Sequence, residues 1–107
     1  MKLSQKLTKE IIEPFFNDWD KMKETIEQAF RNRDPKDPQE MLNGIILYKQ
    51  LLEQCDFEII PLNGPERLSF IEQRPTNFAA FRQLDELFAE MAKGIAAKRI
   101  QLKRYEK

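Results

Sequence analysis

The sequence predicts an all-α fold: a compact bundle of four to five helices with a long C-terminal helix. Apolar residues recur three and four positions apart through most of the 107-residue chain. Prolines divide the chain into segments of helical length, and the one stretch rich in β-branched residues has no second strand to pair with. We expect one domain over residues 1–107, in which residues 1–7 and 100–107 are candidates for fraying.

The N-terminal third predicts two short helical segments. The first begins at Thr8 and is limited or kinked by Pro14, because proline lacks a backbone donor and its ring clashes with the preceding turn. The second is capped by Asn17 or Asp18 and ends near Arg31. Its apolar stripe consists of Trp19, Met22, Ile26, Ala29 and Phe30.

The next helix has the clearest start signal in the chain. Asp37 is a good N-cap, Pro38 suits the first helical position, and Glu40 follows the cap at capping-box spacing. We expect this helix to end near Gln54. Gly44 within it costs about 1 kcal/mol relative to alanine, which is acceptable if another helix passes close to it.

The C-terminal half predicts a loop and two helices. Residues 56–64 are expected to form an ordered loop, and a short helix then runs from Pro65 until Pro75 stops it. Asn77, or the threonine before it, caps a long helix that continues to Tyr105. One side of this last helix carries the apolar residues Phe78, Phe81, Leu84, Phe88, Met91, Ala92 and Ile95.

Charged residues are balanced in number but unevenly placed. Lys plus Arg and Asp plus Glu number 18 each, so no global basic field attracts nucleic acid. Residues 1–10 carry a net charge of +2, residues 91–107 carry +5, and the chain between them carries −7. The sequence therefore predicts a weakly acidic body with two basic ends.

Cysteine content and hydropathy bear on the compartment. A single cysteine excludes an internal disulfide and suits a reducing environment. No apolar run approaches the ~18 residues that a membrane-spanning helix needs, and the N-terminus lacks the apolar region of a signal peptide. The expected location is the cytoplasm, with no membrane contact.

The absence of histidine limits the available chemistry. It excludes Ser-His-Asp and Cys-His catalysis, zinc sites with histidine ligands, and the Glu-x-x-His pattern of carboxylate di-iron sites. One cysteine cannot build a thiolate metal site, and Cys55 is interpreted as an ordinary semi-buried residue. We expect no cofactor.

Two acidic pairs carry the one enzyme hypothesis. Glu24 and Glu27 lie one turn apart on the second segment, and Glu53 and Asp56 lie one turn apart at the end of the third. They resemble the pairs with which all-α nucleoside triphosphate pyrophosphohydrolases of the MazG type hold Mg²⁺. Lys23 stands where that family's first motif has another glutamate. Solvated helix faces are the alternative interpretation, since such pairs also arise by chance.

Asp85 lies on the apolar side of the last helix, where an unpaired carboxylate would be costly to bury. Arg67 and Arg74 lie in the preceding segment, which should fold back over this helix, so either could pair with Asp85. The simple interpretation is an ion pair that ties the short helix to the long one. The functional alternative is a polar pocket formed by these three residues.

Two further segments could contact other molecules. Phe15, Phe16 and Trp19 could form an exposed anchor for another protein, although such a small chain also needs them for its core. The basic tail could bind a nucleic-acid backbone, an anionic membrane or an acidic partner, or it could be a solvated helix end favoured by the helix dipole. Its cations include Lys98, Arg99, Lys103 and Arg104.

Several short motifs together resemble the YpoC-like family, small helical proteins of bacilli and their relatives. They are Leu-Asn-Gly-Pro-Glu-Arg at 62–67, Phe-Ile at 70–71, Arg-Pro at 74–75 and Gln-Leu-Asp-Glu-Leu-Phe at 83–88. Residues 11–16 and Trp19 are also similar to that family's N-terminal part, so the resemblance covers most of the chain. It implies a helical fold and brings no activity, cofactor or catalytic residue.

These observations favour a non-enzymatic interaction or accessory protein of the bacterial cytoplasm, with an unknown protein as its partner. Binding would use the aromatic N-terminal region, the Arg67 and Arg74 surface, or the basic tail. The alternatives are the magnesium-dependent nucleotide pyrophosphohydrolase and a nucleic-acid-binding protein that uses the tail.

Overall fold

A computed structural model of the chain describes residues 2–32 and 38–105, and every regular element within them is an α-helix. The helices are α1 (Leu3–Lys6), α2 (Lys9–Arg31), α3 (Gln39–Gln54), α4 (Gly64–Gln73) and α5 (Phe78–Tyr105). The predicted all-α bundle with a long C-terminal helix is confirmed. The predicted cap at Asp37 lies outside the described residues, and α3 begins one residue after Pro38.

Helix α5 is the centre of the bundle, and α2, α3 and α4 all pack against it. It runs antiparallel to α2, because Trp19 stacks on Phe88 while Phe30 meets Phe78 near the other ends of the two helices. Its buried side chains are Ala80, Phe81, Leu84, Leu87, Phe88, Met91 and Ile95. The result is an elongated bundle of 53 × 26 × 19 Å.

Helix α2 is continuous through Pro14, so the predicted division into two segments was wrong. Pro14 is the sixth residue of the helix, and its missing N–H deprives only the carbonyl of Glu10, an exposed residue, of a partner. Ile12, Trp19 and Ile26 lie two turns apart on one stripe, and all three are buried. A break at Pro14 would take Ile12 out of line with Trp19. Burying these side chains in one core therefore stabilises the continuous helix by more than the missing backbone hydrogen bond costs.

Gly44 of α3 confirms the predicted close approach of another helix. A Cβ at this position would lie 2.7 Å from Cζ3 of Trp19 and 3.2 Å from Cδ2 of Leu84. The glycine therefore allows α3 to pack closely on both α2 and α5.

Helix α3 ends in a Schellman motif, in which the backbone turns through a left-handed residue. The Asp56 N–H donates to the Glu53 carbonyl and the Phe57 N–H donates to the Leu52 carbonyl, each at 2.9 Å. Asp56 and Phe57 have φ angles of 53° and 56°. The loop that follows is irregular, as predicted, and it exposes the large side chains of Phe57, Ile60 and Leu62.

The turn between α4 and α5 follows the predicted signals. Helix α4 ends before Pro75, and the side chain of Asn77 accepts hydrogen bonds from the N–H groups of Ala79 (2.7 Å) and Ala80 (3.3 Å). Asn77, and not the preceding threonine, is thus the residue that caps α5.

Helix α1 lies against the ends of α3 and α5. Gln54 donates a hydrogen bond to the Lys6 carbonyl at 3.0 Å, and Nε of Arg99 donates to the carbonyl of Leu7, which has no exposed surface. The frayed ends and the single-domain organisation stay predictions. In residues 2–32 and 38–105, no helix has an apolar stretch that could cross a bilayer.

Candidate binding site

Trp19 is a core residue, and its indole determines the environment of Asp85. Only 2% of Trp19 is exposed, its ring stacks on Phe88 with 4.5 Å between centroids, and Nε1 donates to Oδ1 of Asp85 at 3.0 Å. Nζ of Lys23 lies 3.6 Å from the same oxygen. Asp85 is therefore satisfied from α2, and Trp19 is not accessible as an anchor for a partner.

The neighbouring aromatic residues of α2 are half-buried against the core. Phe16 meets the ring of Phe88 edge-on, with centroids 6.4 Å apart. Phe15 lies toward α1 and the end of α3, beside Lys6 and Asp56. Both residues therefore offer only part of their rings to solvent.

Arg67 ties α4 to α5, but its partner is not Asp85. Its Nη1 and Nη2 atoms donate to the two carboxylate oxygens of Glu90 at 3.1 and 2.5 Å, and Nε donates to Gln83 at 2.9 Å. Asp85 and Glu90 leave α5 in different directions, the first toward α2 and the second toward α4. The predicted inter-helix ion pair thus exists with a different carboxylate.

The charges in this pair stabilise each other. The hydrogen bond from Arg67 holds the pKa of the Glu90 carboxyl below its usual value, and the same bond raises the pKa of the Arg67 guanidinium. Arg74 is placed elsewhere, with its guanidinium carbon 5.3 Å from the centroid of the Phe70 ring. The predicted pocket of Arg67, Arg74 and Asp85 is therefore not assembled.

The acidic pairs of the enzyme hypothesis also stay apart. Asp56 is ion-paired with Lys6 at 2.7 Å, and Glu27 approaches Arg31 of its own helix at 3.8 Å. Glu24 and Glu53 are exposed. Within the described ranges, no group of three or more Asp, Glu or Cys side chains is placed to hold a metal ion. The MazG-type alternative gains no support from this geometry.

The two basic ends of the sequence meet at one end of the bundle. The last turns of α5 extend past the start of α2, where Lys9 lies beside Arg99, and α1 folds alongside them. Between α1 and α5 lies a groove of about 510 Å³, which we call the α1–α5 groove. It is lined by Ser4, Gln5, Leu7, Thr8, Lys9, Arg99, Ile100, Leu102 and Lys103.

The α1–α5 groove combines apolar surface with positive charge. Ile100 is 58% exposed and Leu102 is half-buried, so both present hydrocarbon to a ligand. Lys9, Arg99 and Lys103 supply charge, and none of the described lining residues is acidic. No carboxylate in residues 2–32 or 38–105 pairs with these cations, whereas Lys6, Lys49 and Arg67 are each paired with a carboxylate.

Sequence reasoning identified part of this groove. The basic tail supplied Arg99 and Lys103, while Lys98 and Arg104 lie on the same turns of α5 outside the groove lining. Lys9 and the α1 wall were missed. The available signal was Leu7, which lies one turn after Leu3 and requires something to cover it.

Comparison with known proteins places the chain in a family. A protein-family model described as YpoC-like protein matches residues 9–103. The chain belongs to the YpoC-like family. A curated relative from Bacillus subtilis strain 168, described as uncharacterized protein YpoC, is 34% identical over 95 residues. The match covers 73% of this chain and 58% of the relative, so the chain spans less than two thirds of the relative's length.

The family match includes most of the fold and part of the groove. It begins at Lys9, the first residue of α2, and ends at Lys103, in the last turns of α5. Both lysines of the α1–α5 groove are therefore inside the matched region, while α1 is outside it. No solved structure matches the chain with significance.

Proposed function

We propose that this protein is a non-enzymatic interaction module of the cytoplasm that holds a partner protein in the α1–α5 groove. One observation supports the proposal: a groove of the size typical of ligand sites is lined by hydrocarbon and by cations that no carboxylate of the described residues pairs. Their position around a concavity supports a binding role.

The other surfaces considered from the sequence offer less. Trp19 is buried, and Arg67 is fully engaged with Glu90, Gln83 and the Leu62 carbonyl, so binding there would require existing contacts to break. The groove cations require no such rearrangement. This difference favours the tail region over the aromatic and Arg67 surfaces.

A photo-crosslinking amino acid at position 100 tests the proposal, with the same amino acid at position 46 as a matched control. Ile100 and Ile46 are both helical and are 58% and 53% exposed, but Ile46 lies on α3 and does not line the groove. We expect a discrete protein adduct from position 100 that persists after nuclease treatment and is absent from position 46. Equal adducts from both positions, or none, would contradict the proposal.

Nucleic-acid binding by the tail is the second candidate, because phosphates also seek unpaired Lys and Arg side chains. Lys98, Arg99, Lys103 and Arg104 would then act together. This candidate requires that the adduct from position 100 disappear with nuclease. It also requires that the logarithm of the binding constant for an oligonucleotide fall steeply and linearly with the logarithm of the salt concentration.

A further inference from the structure

We infer that the ligand of the α1–α5 groove is an acidic amphipathic segment of the partner protein, in which apolar side chains alternate with carboxylates. The inference rests on the proposed function, since it names the chemistry recognised at the same site. Charge, apolar surface and shape each restrict the ligand.

Charge complementarity selects carboxylates. Lys9 lies on one side of the groove, and Arg99 and Lys103 lie on the other. Arg99 uses Nε to bind the Leu7 carbonyl, and no described residue accepts a hydrogen bond from its two Nη atoms. These atoms form the planar fork that suits a carboxylate, while the two lysines act as point charges. A basic segment would be repelled from all three.

The apolar side of the groove indicates that the ligand also carries apolar side chains. Ile100 and Leu102 lie beside the cations, and the methylene stems of Lys9 and Lys103 extend this hydrocarbon surface. A purely polyanionic ligand would leave it exposed to water. An apolar side chain on the ligand would cover this surface and remove it from water, which favours binding.

Shape favours a protein segment over a membrane or a nucleic acid. A bilayer surface is flat and cannot fill a recess of about 510 Å³ between two helices. Nucleic acid fits the cations, but the exposed wall of Ile100 and Leu102 is aliphatic and offers no aromatic platform for stacking bases. The volume accommodates a few side chains and not a whole helix. The ligand therefore presents one edge to the groove.

The test uses a short synthetic peptide of alternating Leu and Glu clusters at helical spacing, with fluorescence anisotropy for affinity and NMR amide shifts for location. Matched peptides replace every Glu with Gln, or every Leu with Ser. We expect both replacements to weaken binding by about tenfold or more, because each removes one half of the complementarity. The amide shifts should map to Thr8, Lys9 and residues 100–103.

Charge reversal on the protein provides the complementary measurement. We expect Lys9→Glu with Lys103→Glu to weaken peptide binding by about tenfold or more. Lys21→Glu with Arg82→Glu makes the same change of net charge at exposed positions outside the groove. The peptide affinity of this control variant should stay within about twofold of the wild-type affinity. A glutamate at the first residue of α2 suits the helix dipole, so Lys9→Glu should not unfold the protein.

Three outcomes would overturn the inference: equal binding of the Gln peptide, peptide shifts that map away from the groove, or equal losses in the two double variants. Groove shifts produced by phosphatidylglycerol vesicles or by single-stranded DNA, with no response to the acidic peptide, would also overturn it. A further result would separate the inference from the proposed function. If the photo-crosslinker at position 100 captures a protein, and Lys9→Glu with Lys103→Glu does not reduce that capture, the proposed function stands and the acidic ligand is wrong.

Discussion

Alanine substitution at Gly44 and at Gly94 should have opposite effects on stability, although both glycines lie inside helices. A Cβ at Gly44 would lie 2.7 Å from Cζ3 of Trp19, and a Cβ at Gly94 would lie 2.7 Å from Cγ2 of Ile59. The distances are equal, so the outcome depends on whether each neighbour can move. Alanine itself is favoured over glycine by about 1 kcal/mol within a helix.

The Trp19 ring cannot move without losing other contacts. It stacks on Phe88 with 4.5 Å between centroids and donates a hydrogen bond to Asp85 at 3.0 Å. Inserting a methyl group into such a packed site costs about 1–3 kcal/mol. After the helix-propensity gain, we expect Gly44→Ala to lower the free energy of unfolding by about 1 kcal/mol.

The neighbour of Gly94 has more freedom. Ile59 is a half-buried residue of an irregular loop, and the contact is with its Cγ2 methyl, which can move by a small turn of χ1 together with a shift of the loop backbone. Turning that side chain costs about 0.5 kcal/mol, which is less than the propensity gain. We therefore expect Gly94→Ala to raise the free energy of unfolding by about 0.5 kcal/mol, a difference of about 1.5 kcal/mol between the two variants.

Urea unfolding followed by the fluorescence of Trp19, the single tryptophan, measures both variants. Ala89→Gly is the control, because Ala89 is exposed on α5 and its loss of about 1 kcal/mol calibrates the propensity contribution alone. If Gly44→Ala proved as stable as the wild type with an unchanged m-value, the reasoning about a fixed indole ring would be refuted.

Three further predictions concern polar and reactive groups. A double-mutant cycle with glutamine at Arg67 and Glu90 should give a coupling free energy of about 1 kcal/mol at neutral pH. This coupling is smaller than that of a fully buried ion pair, because Glu90 is partly exposed to solvent. Because the pKa of Glu90 is lowered on folding, this contribution should be lost as pH falls below about 4, and a pH-independent coupling would contradict the assignment. Asp85→Ala should lower the free energy of unfolding by about 1–2 kcal/mol, because it removes the acceptor for the Trp19 indole. Asp85→Asn keeps an acceptor, so its free energy of unfolding should stay within about 0.5 kcal/mol of the wild type. Equal losses in the two variants would exclude this hydrogen bond as the cause. Burial raises the pKa of the Cys55 thiol to about 11. Ellman's reagent at pH 8 should therefore react far more slowly with the native protein than with the unfolded chain. Fast labelling of the native protein would show that Cys55 is not buried.

Local signals predicted much of the fold. The cap at Asn77 and the stop before Pro75 each depend on a few neighbouring residues, so the sequence contains what is needed to infer them. The close approach at Gly44 involves the distant residues Trp19 and Leu84, and its local sign was a glycine inside a helix. The apparent break at Pro14 was misleading for a long-range reason. Its cost is local, whereas the stripe that keeps α2 continuous is stabilised by α5, at the far end of the chain.

The candidate site was harder to predict. The sequence indicated that Asp85 needs a partner and that Arg67 needs a carboxylate, but the correct pairing depends on how α5 is rotated relative to α2 and α4. The groove depends on contacts across still greater separations, since Leu7 and Arg99 are 92 residues apart. No spacing rule links such positions in a single sequence.

The placement of Trp19 against Phe88 has a consequence for biosynthesis. Translation at 5–20 residues per second needs roughly 3–14 s to add the 69 residues from Asp20 to Phe88. During that interval the stripe of α2 and its neighbour α3 are made, but the rings of α5 that pack on Trp19 are not. A ribosome-bound chain that ends before α5 should therefore expose to chaperones the part of this stripe that α3 does not cover, and the bundle should close only after α5 leaves the exit tunnel.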